Sequence, residues 1–144
     1  MSRISTINIQ QQFEISSEIL WEYITVPMHM KKWWFSQIRN FEPIAGFQTR
    51  FTVNYKNEKY VHLWEVLEVV QQEKLKLDWQ YANYPGKAYA LFELENNPHG
   101  TLLTLTSDVL EFFPNHEAFS RNSVLKGWTT LLQKKLPNYI NENS

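Results

Sequence analysis

The sequence contains no cysteine, only four glycines, and no long hydrophobic run. The lack of cysteine excludes disulfide bonds, thiol catalysis and cysteine-ligated metal sites. A membrane-spanning helix requires roughly 18 apolar residues in a row, and no stretch of the chain approaches that length. The segment from Met1 to Gln12 is polar and alternating, unlike a signal peptide. These features predict a soluble, cytoplasmic protein with no membrane partner.

An excess of charge of either sign is also missing. The chain has 14 basic and 15 acidic residues, for a net charge of −1. Proteins that bind nucleic acid usually present a basic face, whereas the basic side chains here are scattered among acidic ones. We therefore expect no nucleic-acid partner.

Motifs of established catalytic sites are absent as well. None of the four histidines has the spacing of a metal-binding motif, and there is no hydrolase nucleophile motif or phosphate-binding glycine loop. The sequence therefore assigns no catalytic residue, no metal site and no cofactor.

Aromatic residues are what the sequence has in excess. Six Trp, seven Tyr and nine Phe make up 15% of the chain, and hydrophobic residues in total make up 43%. A chain of 144 residues is the length of one domain, so residues 1–144 are expected to form a single unit. The rings either fill its core or leave an aromatic-lined pocket, and composition by itself favours the filled core.

The periodicity of apolar residues predicts an α+β domain. Alternation within residues 3–14 indicates a first strand, and Ser16 or Ser17 and Pro27 mark the starts of two short helices. Five alternating stretches between Gly46 and Val109 predict an antiparallel meander. An apolar stripe over residues 116–136 predicts a long C-terminal helix, which Pro137 is expected to end.

Motifs at four places in the chain carry a resemblance to a known family. They are Trp21–Pro27, Lys32–Trp34, Trp64–Val69 followed by Lys74–Trp79, and Gly100–Thr106 together with Gly127–Trp128. In this order and spacing they resemble the START-like, Bet v 1-like (SRPBCC) superfamily. The similarity is to the branch related to the C-terminal domain of the activator of Hsp90 ATPase, and it spans nearly the whole chain.

The resemblance implies a helix-grip fold. In that fold a curved antiparallel sheet of about six strands wraps around a long C-terminal helix, with two short helices between the first and second strands. Many relatives hold a hydrophobic molecule between the sheet and the helix, and their functions range from lipid transfer to polyketide cyclisation and chaperone activation. Trp64 stands where relatives often have glycine, so its ring should shrink or reshape any pocket.

Strand parity and the resemblance together predict the ligand-binding residues. Six of them are rings on strand faces that are expected to point inward, and the seventh is a ring of the C-terminal helix. They are Tyr60, His62, Trp64, Trp79, Tyr81, Phe92 and Trp128. We expect the pocket mouth to include Met30, Trp33 and Trp34, with Met28 and Phe35 nearby.

Several local predictions follow from position alone. Adjacent helical residues point about 100° apart, so only one of Trp33 and Trp34 is expected to be fully in the core. Gly127 inside a helix suggests a close approach by a strand or a ligand. His99 and His116 are expected to be solvated.

Two titratable residues near the predicted site have alternative interpretations. His62 is either a hydrogen-bonded core residue or a polar contact in the pocket that titrates near neutral pH. Glu68 shares the parity of Trp64 and would have a raised pKa if it faced inward, but a solvated position at the sheet's rim is favoured.

Three functions remain open at this point. The first is non-enzymatic binding of a hydrophobic or aromatic small molecule. The second is a regulatory module that contacts a chaperone such as Hsp90, which predicts a filled core and an exposed apolar patch. The third is a cyclase-like or hydrolase-like enzyme with His62 or Glu68 as general base. The abundance of aromatic residues also leaves a homodimer open.

Overall fold

The computed structural model describes residues 6–143, so the part of the predicted first strand before Thr6 lies outside it. The elements in chain order are β1 (Ile7–Phe13), α1 (Ser17–Thr25), α2 (Pro27–Trp33), β2 (Gln48–Tyr55), β3 (Glu58–Val70), β4 (Lys74–Tyr81), β5 (Tyr84–Asn97), β6 (Gly100–Glu111) and α3 (Arg121–Thr130), followed by a π-helical turn (Leu131–Lys135) and α4 (Leu136–Asn143). A 3₁₀ turn, Glu117–Phe119, precedes α3.

The six strands form one antiparallel sheet in the order β1-β6-β5-β4-β3-β2. Strands β2 to β6 form the predicted meander, and β1 returns to pair with β6, placing Ile7 opposite Ser107 and Phe13 opposite Thr101. With two short helices after β1 and a long helix at the C-terminus, this is the helix-grip fold. The predicted α+β class and strand number are confirmed.

Local sequence signals set the starts of the helices. Ser16 caps α1, and its hydroxyl oxygen accepts a hydrogen bond from the backbone N–H of Ile19 at 3.3 Å. Pro27 is the first residue of α2, where its fixed φ suits a helix and its missing N–H is not needed. Gly100 begins β6 with φ +132°, and a Cβ there would collide with the carbonyl oxygen of Phe13.

The C-terminal helix differs from prediction at both ends. It begins at Arg121, with Ser120 as the cap, rather than near His116. It also continues past Pro137 to Asn143, because the π-helical turn lies directly before the proline. In that turn the N–H of Leu136 reaches back to the carbonyl of Leu131, and the widened turn gives room for the proline ring.

The core lies between the concave face of the sheet and the helices. Among its largest fully buried side chains are Trp33 and Leu20 from the helices and Trp64, Phe92 and Leu105 from the sheet. No helix within residues 6–143 is long and apolar enough to cross a membrane.

Candidate functional site

The predicted ligand-binding rings lie together on the concave face of the sheet and on the helix opposite. Strand β3 carries three, β4 carries two, β5 carries one, and α3 supplies Trp128. Five of the seven are buried, namely Tyr60, His62, Trp64, Phe92 and Trp128. Trp79 and Tyr81 are half-buried. Ring-centroid distances of 5.7 Å from Trp79 to Trp128 and 5.9 Å from Phe92 to Trp128 show that the sheet and the helix meet through these rings.

Trp34 lies at the centre of this assembly. Its ring centroid is 4.7 Å from that of Trp64, 5.3 Å from Phe92, 5.7 Å from Trp128 and 6.3 Å from Trp79. We call these five residues the central cluster. The Trp34 ring occupies the space between the sheet and the C-terminal helix.

The prediction that only one of the two adjacent tryptophans enters the core is wrong. Trp33 is 1% exposed and Trp34 is 5% exposed, and their rings stack at 5.0 Å. Both can be buried because α2 ends at Trp33, so the helical angle does not govern the direction of Trp34. Met30 is also fully buried, whereas Met28 is exposed. The residues predicted at a pocket mouth therefore lie in the interior.

Two indole N–H groups of the central cluster are buried without a hydrogen-bond partner among the described residues. They belong to Trp34 and Trp64. Two neighbouring tryptophans are paired: Trp33 Nε1–H donates to the carbonyl of Tyr23 at 2.7 Å, and Trp79 Nε1–H donates to the hydroxyl of Tyr81 at 2.9 Å. Since most buried polar groups in native proteins are hydrogen-bonded, this pair of donors marks the cluster as unusual.

His62 is the polar member of the predicted site, and it is 4% exposed. Its Nδ1 lies 2.9 Å from the carbonyl oxygen of Tyr60, so this nitrogen carries the proton and donates it. Burial lowers the pKa of His62 to about 4. The interpretation of His62 as a hydrogen-bonded core residue is therefore confirmed over the alternative of titration near neutral pH, and its neutral ring stacks on Phe51 at 4.8 Å.

Glu68 does not face the central cluster. The register of β3 against β4 shifts between Val66 and Glu68, and this irregularity breaks the alternation that would have placed Glu68 with Trp64. Its carboxylate lies 2.6 Å from Lys74 Nζ. The hydrogen bond from Lys74 holds the pKa of Glu68 below its ordinary value. The favoured interpretation of a solvated rim position is confirmed, and the inward alternative is wrong.

A second aromatic cluster lies at the end of the sheet where β2 turns into β3, and the sequence did not predict it. We call Glu58, Tyr60, Tyr84, His116 and Phe119 the rim cluster. One carboxylate oxygen of Glu58 accepts hydrogen bonds from the hydroxyl of Tyr84 at 2.9 Å, from the hydroxyl of Tyr60 at 3.3 Å and from Nε2 of His116 at 2.8 Å.

The second nitrogen of His116 is also used in the rim cluster. Nδ1 of His116 accepts from the backbone N–H of Ala118 at 3.1 Å, so in the neutral ring the proton sits on Nε2. His116 is partly solvated, with 31% of its side chain exposed, and it has a partner from a distant strand that the sequence did not predict. His99 is exposed, as expected. Phe119 packs against Tyr84 at 5.1 Å and Tyr60 at 5.8 Å.

Tyr81 and His62 lie between the two clusters. The ring of Tyr81 is 4.8 Å from His62 on one side and 5.3 Å from Phe119 on the other. Burial raises the pKa of Tyr81 to about 12, so its hydroxyl stays protonated at neutral pH. Glu58, Tyr60 and His62 stand two residues apart on β3, so they lie on the same face of the strand. This alternation could have predicted that Glu58 lies beside Tyr60, although it gives no sign of His116 or Phe119.

Gly127 does not mark a close approach, contrary to the prediction. A Cβ built at this position would meet nothing within 4 Å. Gly127 lies on the exposed side of α3, next to buried Trp128.

Two surface hollows of the described structure lie away from the central cluster. One of about 580 Å³ is bounded by Lys32 on α2 and by Lys135 and Tyr139 near the C-terminus. Another, of about 360 Å³, lies beside Glu73 and Glu93. Within residues 6–143, no group of three His, Asp or Glu side chains could hold a metal ion.

Comparison with known proteins places the chain in a family. Residues 14–141 match the model of the Activator of Hsp90 ATPase homolog 1-like proteins. The chain belongs to this family. The match runs from just before α1 into α4, and it confirms the branch of the superfamily that the sequence motifs indicated. No curated protein matches the chain at a significant level.

Solved structures similar to this family member confirm the helix-grip fold. Protein MLL2253 from Mesorhizobium loti is 23% identical with a TM-score of 0.77, and the match covers 96% of this chain and 98% of that one. Protein CV1439 from Chromobacterium violaceum is 15% identical with a TM-score of 0.77, at coverages of 93% and 95%. DynU16, a protein of the dynemicin biosynthetic locus, is 16% identical with a TM-score of 0.77 over 99% of this chain and 49% of that one.

Proposed function

We propose that this protein binds a hydrophobic or aromatic small molecule between its sheet and its C-terminal helix, without catalysing a reaction on it. The observation that carries the proposal is the central cluster, where aromatic rings from three strands and one helix converge on Trp34. Aromatic side chains provide large apolar contact areas with defined geometry, which suits them to a ligand with ring systems.

Access to the site requires Trp34 to move. The rings of Trp64, Trp79 and Phe92 are fixed on paired strands, whereas Trp34 follows the last residue of α2 and precedes a stretch without regular helix or strand. A side chain on such a segment can be displaced with fewer broken backbone hydrogen bonds than one on a strand. A ligand ring would take the place of the Trp34 indole and stack against the same neighbours.

The titratable groups near the site favour binding over catalysis. A general base works best when its pKa lies near the working pH. The low pKa of His62 makes it a weak base at pH 7, and its protonated nitrogen is held by a backbone carbonyl. Glu68, the other proposed base, lies outside the cluster and is paired with Lys74.

The filled interior supports one alternative, a module that contacts a chaperone through its surface. That alternative predicts a core that needs no ligand, and Trp34 at 5% exposure fills the centre of this one. The two functions therefore differ in whether Trp34 stays in place or is displaced.

Native mass spectrometry of the full chain as purified is the first test. We expect an additional mass that is lost on denaturation. We also expect saturable, single-site binding of the neutral dye 1-aminoanthracene, measured by its fluorescence. Trp34→Ala should bind the dye more tightly, because no indole has to be displaced. Met28→Ala, an exposed change on the same helix, serves as the control and should bind as the native chain does.

The contrary result is a clean mass together with no saturable dye binding by the native chain or by folded Trp34→Ala. That outcome would contradict the binding function and favour the chaperone-contacting module. Capture of purified Hsp90 by the immobilised chain would then be the next measurement.

A further inference from the structure

The two unpaired indole N–H groups of the central cluster carry information about the ligand. The rings of Trp34 and Trp64 lie 4.7 Å apart at their centroids, and both donors are buried. A buried donor without a partner is destabilising, because it loses its hydrogen bonds to water and gains none in the protein. Surrounding ring faces offer only weak N–H···π contacts in exchange.

Comparison with two other tryptophans, Trp33 and Trp79, shows that the protein pairs such groups elsewhere. Trp33 and Trp79 each donate to an oxygen within 2.9 Å. The side chains whose rings surround Trp34 and Trp64 are aromatic. The second ring nitrogen of His62, Nε2, could accept a hydrogen bond, but neither indole N–H is bonded to it or to any other acceptor of the described residues. An acceptor for the two free donors would therefore have to come from outside the chain.

The lack of charged side chains around Trp34 indicates whether the acceptor group of the ligand is charged or neutral. The residues whose rings contact Trp34 are Trp33, Phe35, Trp64, Trp79, Phe92 and Trp128, and none of them is charged. Placing a carboxylate among them without a cation would be strongly unfavourable, whereas a carbonyl or ether oxygen is much easier to desolvate.

We infer that the ligand is a neutral, flat apolar molecule with an acceptor oxygen, such as an aromatic ketone or quinone, which accepts from the Nε1–H of Trp64. This inference rests on the proposed binding function and adds the chemical class of the ligand. Trp64, whose ring is fixed on β3, is the donor that stays in place when Trp34 moves.

Three probes of nearly the same shape test the inference: fluorene, 9-fluorenone and fluorene-9-carboxylate. Their affinities are measured by displacement of 1-aminoanthracene from the full chain. We expect 9-fluorenone to bind about tenfold more tightly than fluorene, which corresponds to about 1.4 kcal/mol. We expect the carboxylate to bind more weakly than either.

Two matched variants locate the donor. Trp64→Phe should abolish the preference for 9-fluorenone over fluorene. Trp79→Phe should keep the ratio of the two affinities, even if both affinities fall, because the N–H of Trp79 already has a partner in Tyr81.

NMR of the native chain provides a readout that does not depend on any variant folding. In ¹⁵N-labelled protein, the Nε1–H signal of Trp64 should move downfield with 9-fluorenone but not with fluorene. The signals of Trp33 and Trp79 should move little in either case.

The outcomes separate the inference from the proposed function. Equal binding of fluorene and 9-fluorenone, with no downfield shift at Trp64, overturns the acceptor inference and leaves the binding function standing. Tightest binding of the carboxylate overturns the inference that the ligand is neutral. Binding of none of the three probes, by the native chain or by Trp34→Ala, overturns the inference together with the binding function.

Discussion

The central cluster and the rim cluster are both rich in aromatic rings, but they differ in whether their polar atoms have hydrogen-bond partners. In the rim cluster, the carboxylate of Glu58 accepts from two tyrosine hydroxyls and from His116, and the other nitrogen of His116 also has a partner. In the central cluster, Trp34 and Trp64 keep buried N–H groups without a partner in the described structure.

The difference separates structural packing from a candidate binding site. The polar atoms of the rim cluster bond to one another, and these bonds hold the segment after β6 against the sheet. The central cluster leaves two N–H groups without hydrogen-bond partners in the buried interior, where an unpaired donor is most unfavourable. Both clusters are rich in aromatic rings. They differ in whether their polar atoms have hydrogen-bond partners.

Truncation of one ring in each cluster should give the largest contrast in stability. Phe92 is fully buried and Phe119 is half-buried. Phe92→Ala should reduce the free energy of unfolding by roughly 3–5 kcal/mol, because it leaves a cavity. Phe119→Ala should reduce it by at most about 2 kcal/mol. Urea unfolding measures both, and equal losses would show that the rim is packed as tightly as the centre.

The pH dependence of stability tests whether the region around His62 is dry. The folded pKa of His62, about 4, lies below its ordinary value of 6.5. The unfolded chain therefore takes up a proton first as pH falls, and the folded state loses up to roughly 3 kcal/mol of stability between pH 6.5 and pH 4. His62→Phe should remove that loss. Free energies of unfolding at pH 7.5 and pH 4.5 provide the comparison, and the same pH slope in both proteins would contradict it.

The smallest change in stability is expected for a substitution in the rim cluster. The hydrogen bond from Tyr84 holds the pKa of Glu58 below its ordinary value of 4.5. The ionised carboxylate therefore contributes stability above that value, and the contribution is lost as pH falls through the lower, folded pKa. Glu58→Gln should lower the Tm at pH 7 slightly and have less effect at pH 3.5.

Thermal unfolding of a matched variant at an exposed position provides the control for Glu58→Gln in the rim cluster. Glu95→Gln changes an exposed carboxylate on β5 and should have no effect at either pH. An identical, pH-independent response of the two variants would show that Glu58 has no special role.

Strand parity explains why the sequence predicted much of the site. The alternation along β3 and β4 places Tyr60, His62 and Trp64 on one face and brings Trp79 beside Trp64 in the ladder. These relations depend only on the two-residue period of a strand. Parity failed at Glu68, because a single shift in register changes which face the following residue occupies.

The centre of the site was harder to predict, because it depends on where one helix stops. Trp34 enters the interior only because α2 ends one residue earlier. The rim cluster was missed for a different reason. His116 and Glu58 are far apart in sequence, and no local pattern indicates that the segment after β6 folds back onto the turn between β2 and β3.

The π-helical turn before Pro137 also determines which residues the C-terminal helix buries. Four buried side chains follow one another at intervals of four residues: Trp128, Leu132, Leu136 and Ile140. In a regular α-helix each residue turns by about 100°, so a four-residue step overshoots a full revolution by about 40° and the buried row would drift around the helix. The wider turn at Leu131–Lys135 takes more residues per revolution and cancels part of that drift. The extra residue that the wider turn holds therefore lets Leu136 and Ile140 continue the four-residue repeat on the side of the helix that faces the core.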